Sequence, residues 1–255
     1  MSSGTVKSTG TAFAVVEALV ALDGAGVSEL AGHLGIAKST AHRHLTTLEQ
    51  SGYLVREGNV YNIGLKFLQL GEYSRHTRPG YTLTKRIVDE IARETEERSV
   101  FIVEEHGQAV YLYRGIGPHA VTTDSTVGTR RPIHTVAGGK AILAQLPRER
   151  VDAIIDEWGL EARTDATITT RDSLYEELDA IRERGVAYNR GETIEGLNAV
   201  AVPVMSAPGE VVGALSVSGP ANRLQGEWLE AEIPDLLLGL VNELELNLTH
   251  SDRFN

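Results

Sequence analysis

Residues 27–63 constrain the fold of this chain most. Ser28 stands before Glu29-Leu30-Ala31-Gly32-His33-Leu34, which reads as a short helix with Ser28 as its N-cap. Gly35 ends it, since glycine accepts the left-handed conformation that a tight turn needs. Ile36 and Ala37 cross the turn, and Ser39 or Thr40 caps a further helix running to about Ser51. Gly52-Tyr53-Leu54-Val55-Arg56, Glu57-Gly58-Asn59 and Val60-Tyr61-Asn62-Ile63 then read as strand, turn, strand. Helix, glycine turn, helix and hairpin, in that order, make a winged helix-turn-helix. A helix over 9–22 precedes it, with Phe13, Val16, Leu19 and Val20 on one apolar face, and Asp23-Gly24-Ala25-Gly26 stops that helix.

The last helix of the motif divides its residues by chemistry. At about 100° per residue, Ala41, Leu45 and Leu48 share one quarter of the circumference and pack inward. Ser39, Arg43, Thr46, Thr47 and Gln50 lie opposite, as small polar groups and one guanidinium suited to base edges and phosphates. The candidate DNA-binding residues are Lys38, Ser39, Thr40, His42, Arg43, Thr46 and Thr47 on the helix, with Arg56, Asn59 and Tyr61 on the hairpin. Lys38 and the free N–H groups at the helix start favour a phosphate. His42 and His44 point about 200° apart on a helix, and no metal site is expected from them.

A formal charge of −11 looks wrong for a partner of double-stranded DNA, but it is unevenly spread. Residues 1–75 carry six Lys/Arg and six Asp/Glu, so all of the −11 falls in the remaining 180. The neutral head calls for a few well-placed contacts and for dimerisation. Few lysines beside many arginines, with abundant acid, Ala, Gly, Thr and Val, point to a halophilic source whose proteins need a hydrated acidic surface. There is no cysteine, which removes disulfides, thiolate metal sites and cysteine nucleophiles. No apolar run approaches the ~20 residues that span a bilayer. The start MSSGTVKSTG lacks the pattern of a secretory signal, so a cytoplasmic protein with no membrane partner is expected.

Beyond the head, residues 64–77 carry Leu65, Phe67, Leu68 and Leu70 on a connector helix that links the domains and offers a face to a partner chain. Arg78-Pro79-Gly80 breaks it. Residues 81–97 form an amphipathic helix with Leu83, Ile87, Val88 and Ile91 inward. Strands are expected over 100–105 and 109–114, turning at His106-Gly107, and over 121–126. Helices follow from Gly139 to Leu146, over 147–158 and over 171–184. A second hairpin covers 199–205 and 210–217 around Pro208-Gly209, and a closing helix from Gly226 is interrupted or restarted near Pro234. Helices beside a mainly antiparallel sheet give an α+β domain.

No catalytic constellation stands out. Gly138-Gly139-Lys140-Ala141 fails as a phosphate loop, because position 134 is His where Gly is required and Ala141 replaces the hydroxyl residue. No nucleophile elbow or zinc-binding His-Glu-x-x-His is present, and Ser216-Val217-Ser218-Gly219 has no His/Asp pair assigned by spacing. Binding fits better. Gly138-Gly139 precede a helix whose amides suit a carboxylate. Ser216 and Ser218 face the same side of a strand, and Asn189 and Glu192 lie in the loop before its partner. These polar groups on an apolar sheet suit a small-ligand pocket, with hydroxyls and amides satisfied at strand ends as the alternative.

Together these segments resemble the IclR family of transcription regulators over nearly the whole chain. The resemblance is carried by residues 27–53, ending Leu48-Glu49-Gln50-Ser51-Gly52-Tyr53, by the segment GLKFLQLG from Gly64, and by HTVAGGKAILA from His134. Most specific are RGVAYNRGE from Arg184, then Gly196, then Ala201-Val202-Pro203-Val204, then ALSVSGP from Ala214. It implies a winged helix-turn-helix domain over 1–64, a linker helix over 65–79 and a GAF-like α/β effector-binding domain over 80–255, α+β overall. It further implies homodimers, often homotetramers, small organic acids or aromatic compounds as effectors, and no cofactor. The family's pocket positions fall on Gly138, Gly139, Asn189, Ala199, Ser216 and Ser218. Asn189 stands where an acid is common and Ala199 where cysteine often occurs, so the pocket's polarity departs from the family pattern. The expected function is a sequence-specific regulator whose operator binding responds to a small organic acid or related metabolite. The rival is an enzyme with a regulatory DNA-binding head.

Overall fold

The computed structural model describes residues 4–77, 80–123, 125–207 and 209–251. The chain forms two compact units, 1–77 and 78–255. In the first, α1 (Lys7–Ala21), α2 (Val27–Leu34) and α3 (Lys38–Gln50) are followed by the hairpin β1 (Leu54–Glu57) and β2 (Val60–Ile63), then α4 (Lys66–His76). Gly35 takes φ 64° at the C-cap of α2, and this left-handed residue lets the chain reverse into α3 within three residues. Its small core joins Val15, Leu19, Leu30, Ala41, Leu45, Leu54 and Tyr61.

Several local expectations are corrected here. Helix α2 begins at Val27 with Gly26 as N-cap, and α3 at Lys38 with Ala37 as N-cap, so Ser28, Ser39 and Thr40 cap neither. Extended backbone at Gly26 and Ala37 starts each helix without a side-chain acceptor. The buried side of α1 is Val15, Ala18 and Leu19, backed by Leu22, which already makes a complete i, i+3, i+4, i+7 stripe. Phe13 and Val20 are therefore left 60% and 66% exposed. Helix α4 buries no residue; it is tied to the head by Phe67 against Tyr53, ring centroids 5.1 Å apart, and by Lys66 Nζ donating to Ser51 O over 2.9 Å.

The second unit starts with α5 (Tyr81–Thr95), then β3 (Arg98–Glu105), β4 (Gln108–Ile116) and β5 (Arg130–Pro132). It continues through α6 (Ala137–Gln145), α7 (Arg148–Trp158), α8 (Arg171–Arg184), β6 (Ala187–Arg190), β7 (Leu197–Ala207), β8 (Glu210–Pro220) and α9 (Ile233–Ser251). Six strands pair antiparallel in the order β5-β4-β3-β8-β7-β6. Strand alternation sends Phe101, Val103, Val202, Leu215 and Val217 to one face, covered by α5 and α9. Val100, Ile102, Ala201 and Ala214 go to the other, covered by α6, α7 and α8. A π-helical turn, Trp228–Glu232, runs into α9 just before Pro234, a residue with no N–H to give a regular ladder.

The segment 121–126 is not a strand: its described residues make no ladder, although Val and Thr favour one. The chain pairs with β4 later, at β5. Asn189 lies in a strand, β6, and not in a loop. Leu83 is exposed, and Tyr81, Thr84 and Ala92 join Ile87, Val88 and Ile91 on the buried side of α5. The proposed break at Arg78-Pro79 and the turn residue Pro208 lie outside the described residues, as does Asp124.

Candidate functional site

Helix α3 presents the division that its sequence implied. Ala41 and Leu45 are buried, while Lys38, Ser39, His42, Arg43, Thr47 and Gln50 are exposed and Thr40 and Thr46 half-buried. The Thr47 hydroxyl donates to Arg43 O over 2.9 Å, leaving its lone pairs outward. On the hairpin, Asn59 is exposed at the turn, and Arg56 Nε donates to Gly58 O over 2.9 Å. Tyr61 is the exception among the candidates. It is 2% exposed and exchanges backbone hydrogen bonds with Ala25, its N–H at 2.9 Å and its carbonyl at 3.1 Å. Tyr61 is a core residue that fastens the wing to the loop after α1, and it offers no side chain to a duplex.

In the second unit, strand register builds one row of side chains across four strands. Arg98 on β3 pairs with Ser218 on β8, Ser218 with Ala199 on β7, and Ala199 with Asn189 on β6. The next row on the same face is Val100, Ser216, Ala201 and Ala187. Ser218 and Ala199, small residues in the middle of the first row, leave a hollow between the longer side chains of Arg98 and Asn189 at its ends. This hollow is the floor of a shallow pocket whose empty space, open solvent included, is about 490 Å³. Val136 and Ala137, at the start of α6, and Thr193 and Ile194, from the loop after β6, also line it.

The polar groups of the floor are held in place. Asn189 Nδ2 donates to Thr135 O over 2.5 Å and to Thr193 Oγ1 over 2.9 Å, and its Oδ1 accepts from the Glu192 N–H over 3.0 Å. Ser216 Oγ donates to Val200 O over 2.9 Å. Arg98 Nε donates to Ser218 Oγ over 3.0 Å, and its Nη1 donates to Thr123 Oγ1.

Asn189, Ala199, Ser216 and Ser218 thus meet in one cavity, whereas Gly138, Gly139 and Glu192 do not line it. Helix α6 starts at Ala137, so the two glycines sit inside its first turn and not before it. Their role is close approach: a Cβ on Gly139 would stand 1.9 Å from Ile133 O, and one on Gly138 would stand 2.8 Å from Ile102 Cδ1. Glu192 is turned to Lys140, whose Nζ donates to Oε1 over 2.7 Å. Its Oε2 is buried with no hydrogen-bond partner among the described residues, and burial pushes this carboxyl above the usual range, against the pull of Lys140.

Sequence reading passed over Arg98, Val100, Ile102, Tyr111 and Thr193. The expected helix ends at 97 and the expected strand starts at Val100, so Arg98 falls between them. The period of two through Ile102, Val100 and Arg98 was the signal that could have found it.

A polar recognition-type helix with a wing in one unit, and a hollow, hydroxyl-lined sheet face in the other, define a DNA-binding regulator with a sensory domain. Comparison with known proteins gives the family. Residues 10–58 match the IclR helix-turn-helix domain, and residues 80–242 match the family model described as bacterial transcriptional regulator IclR C-terminal. The chain belongs to the IclR family: it is a DNA-binding transcriptional regulator with a C-terminal effector-binding domain. The probable HTH-type transcriptional regulator ArcR of Halobacterium salinarum is 31% identical over 247 residues, covering 95% of this chain and 94% of its own. The crystal structure of Thermotoga maritima IclR superposes with a TM-score of 0.80 at 26% identity, covering 94% of this chain and 98% of its own. The inducer-binding domain of a double mutant of PobR from Acinetobacter, in complex with 3-hydroxybenzoic acid, is 28% identical with a TM-score of 0.59. It covers 64% of this chain and 96% of its own.

Proposed function

We propose that the chain acts as a cytoplasmic homodimer that reads an operator through α3 and the wing, and that a small organic acid bound on the sheet modulates this binding. One observation carries the reading: Lys38, Ser39, His42, Arg43 and Thr47 stand exposed along a helix whose Ala41 and Leu45 are sealed in the core. On this reading Arg43, Thr46 and Thr47 meet base edges, Lys38, Ser39, Thr40 and His42 meet the backbone, and Arg56 and Asn59 meet the adjacent groove. The effector occupies the floor formed by Asn189, Ala199, Ser216 and Ser218. The organic acid held by the PobR domain supports that class of ligand. The domain limits proposed are 1–64, 65–79 and 80–255.

Dimerisation is supported by an apolar stripe that no element covers among the described residues: Val6, Phe13 and Val20, seven residues apart, are all exposed. Leu65, Leu68 and Tyr73 on and beside α4 add further exposed apolar surface, which supports a second contact between chains and so tetramers. The acidic second unit and the relative from Halobacterium salinarum support a halophilic source. The ligand acts by population shift: it binds one arrangement of the paired chains better than another and so changes operator affinity.

The test is Ser216→Ala combined with Ser218→Ala, measured by fluorescence anisotropy on operator fragments selected from genomic DNA. The double variant keeps operator affinity and loses most of the response to the organic acid that shifts the wild type. An undiminished response would place the effector elsewhere.

A further inference from the structure

We propose that Lys66 is the positioning residue that makes α4 move with α3, so that a displacement of the connector helix is delivered to Arg43 and Thr47. The proposal rests on the reading of α3 as the helix that meets the operator, and names the joint that controls its placement.

Lys66 is misplaced for its own helix. It is the first residue of α4, where the helix dipole favours an acid, and the first turn of α4 holds no acid to offset it. Helix α3 has the opposite defect. Its last turn carries no basic residue and includes Glu49, so its carbonyl end lacks the cation that suits it. Lys66 supplies that cation from outside: its Nζ donates to the carbonyl of Ser51, the C-cap of α3, over 2.9 Å. A charge set against its own helix and in favour of another ties the two helix ends together. Local rules are broken in this way where a residue serves something beyond its own element.

The neighbouring residues give the tie a defined geometry. Lys66 Nζ lies 4.4 Å from the centroid of the Tyr53 ring, and the Phe67 ring meets the same ring at 5.1 Å, so the two grip Tyr53 between them. Gly64 donates its N–H to Tyr53 O over 2.8 Å, and a Cβ on Gly64 would stand 2.9 Å from that oxygen. Tyr53 in turn donates its N–H to Leu48 O, inside α3, over 2.9 Å. Contact from α4 to α3 therefore runs unbroken through Tyr53 and Ser51. Helix α4 buries no residue, so these first-turn contacts, and not a packed face, hold its direction. Lys66 and Ser51 are exposed, so their bond adds little stability and acts on placement.

Coupling is reciprocal, so DNA serves as the probe: whatever α4 does to operator binding, operator binding does to α4. Hydrogen exchange of the full chain is followed free and saturated with a fragment selected from genomic DNA. In the wild type the fragment should slow exchange in α3 and also in α4, the latter by about fivefold or more, the low end of a coupling between sites. Lys66→Met should keep the slowing of α3 and lose most of that in α4, with α1 and α2 exchanging as in the wild type. Lys66→Arg, which keeps the charge and the donor, should restore it. Tyr53→Leu, which removes the gripped ring and no charge, should behave as Lys66→Met does.

Equal slowing of α4 in wild type and Lys66→Met overturns the assignment and leaves α3 as the operator-reading helix. Full slowing of α4 in Tyr53→Leu also overturns it, and makes Lys66 a direct phosphate contact. Faster exchange throughout α1, α2 and α3 in Lys66→Met overturns it as well, since the lysine would then only support the head. A fragment that leaves α3 unchanged in the wild type removes the reading of α3 and the proposal together.

Discussion

Lys140 Nζ donates to Glu192 Oε1 over 2.7 Å, with the lysine side chain 1% and the glutamate side chain 9% exposed. Glu177 adds a second carboxylate at 3.3 Å, itself joined to Arg184 over 2.9 Å. This cluster ties the middle of α6 to the loop after β6, and both elements line the proposed effector pocket. Removing one partner strands a buried charge, which costs about 3–5 kcal/mol, whereas replacing both by apolar groups often costs little. Lys140→Met alone should therefore lower stability by about that amount, and Lys140→Met with Glu192→Leu should recover most of it. Urea denaturation of the full chain checks both.

Burial holds the His134 imidazole below the ordinary value of 6.5, against the opposing pull of its hydrogen bond with Glu161 O, 3.2 Å from Nε2. The folded state then resists a proton that the unfolded chain accepts. Stability is full above about 6.5 and falls as the pH drops from there toward the lowered folded value. Glu192 works the other way: its carboxyl is raised above 4.5, so its burial destabilises progressively as the pH rises from 4.5 to the raised value. The difference in melting temperature between wild type and His134→Gln isolates the first effect. It should shrink as the pH drops below 6.5.

Gly139 admits no side chain, because a Cβ there would overlap the carbonyl of Ile133 at 1.9 Å. Gly139→Ala should push α6 off the segment before it and lower stability by about 1–3 kcal/mol or more. Thermal melts measure the loss, and effector binding should weaken with it, since Val136 and Ala137 line the pocket.

The exposed stripe of Val6, Phe13 and Val20 predicts that Phe13→Glu yields monomers in sedimentation velocity. Operator affinity should fall with it, because two half-sites bind better together than apart. A Phe13→Glu chain that still sediments as a dimer would move the interface elsewhere.

Much of this architecture was legible in the sequence where a period was strong and local. Ala41 and Leu45 against Arg43 and Thr47 follow from 3.6 residues per turn, and Gly35 marks its helix end as expected. What failed was decided by distant partners. Tyr61 reads as an outward wing residue until Ala25, far back in the chain, pairs with it. Strand β5, Arg130–Pro132, has no apolar alternation and exists through its pairing with β4, while 121–126 has strand-forming residues and no partner. The pocket was half legible. Ser216 and Ser218 share a face by alternation alone, but the row that joins Arg98 to Asn189 depends on the register of four strands, which sequence does not state.

The most direct test of the account is the affinity of the full chain for DNA fragments it selects from genomic DNA, with Arg43→Ala beside the wild type and with and without an organic acid that stabilises the second unit. The account predicts that Arg43→Ala costs about 1–3 kcal/mol on the selected sequence, with little change on random DNA, and that the acid shifts wild-type affinity. Equal affinity of wild type and Arg43→Ala for the selected sequence, or a bound acid that leaves operator affinity unmoved, would contradict it.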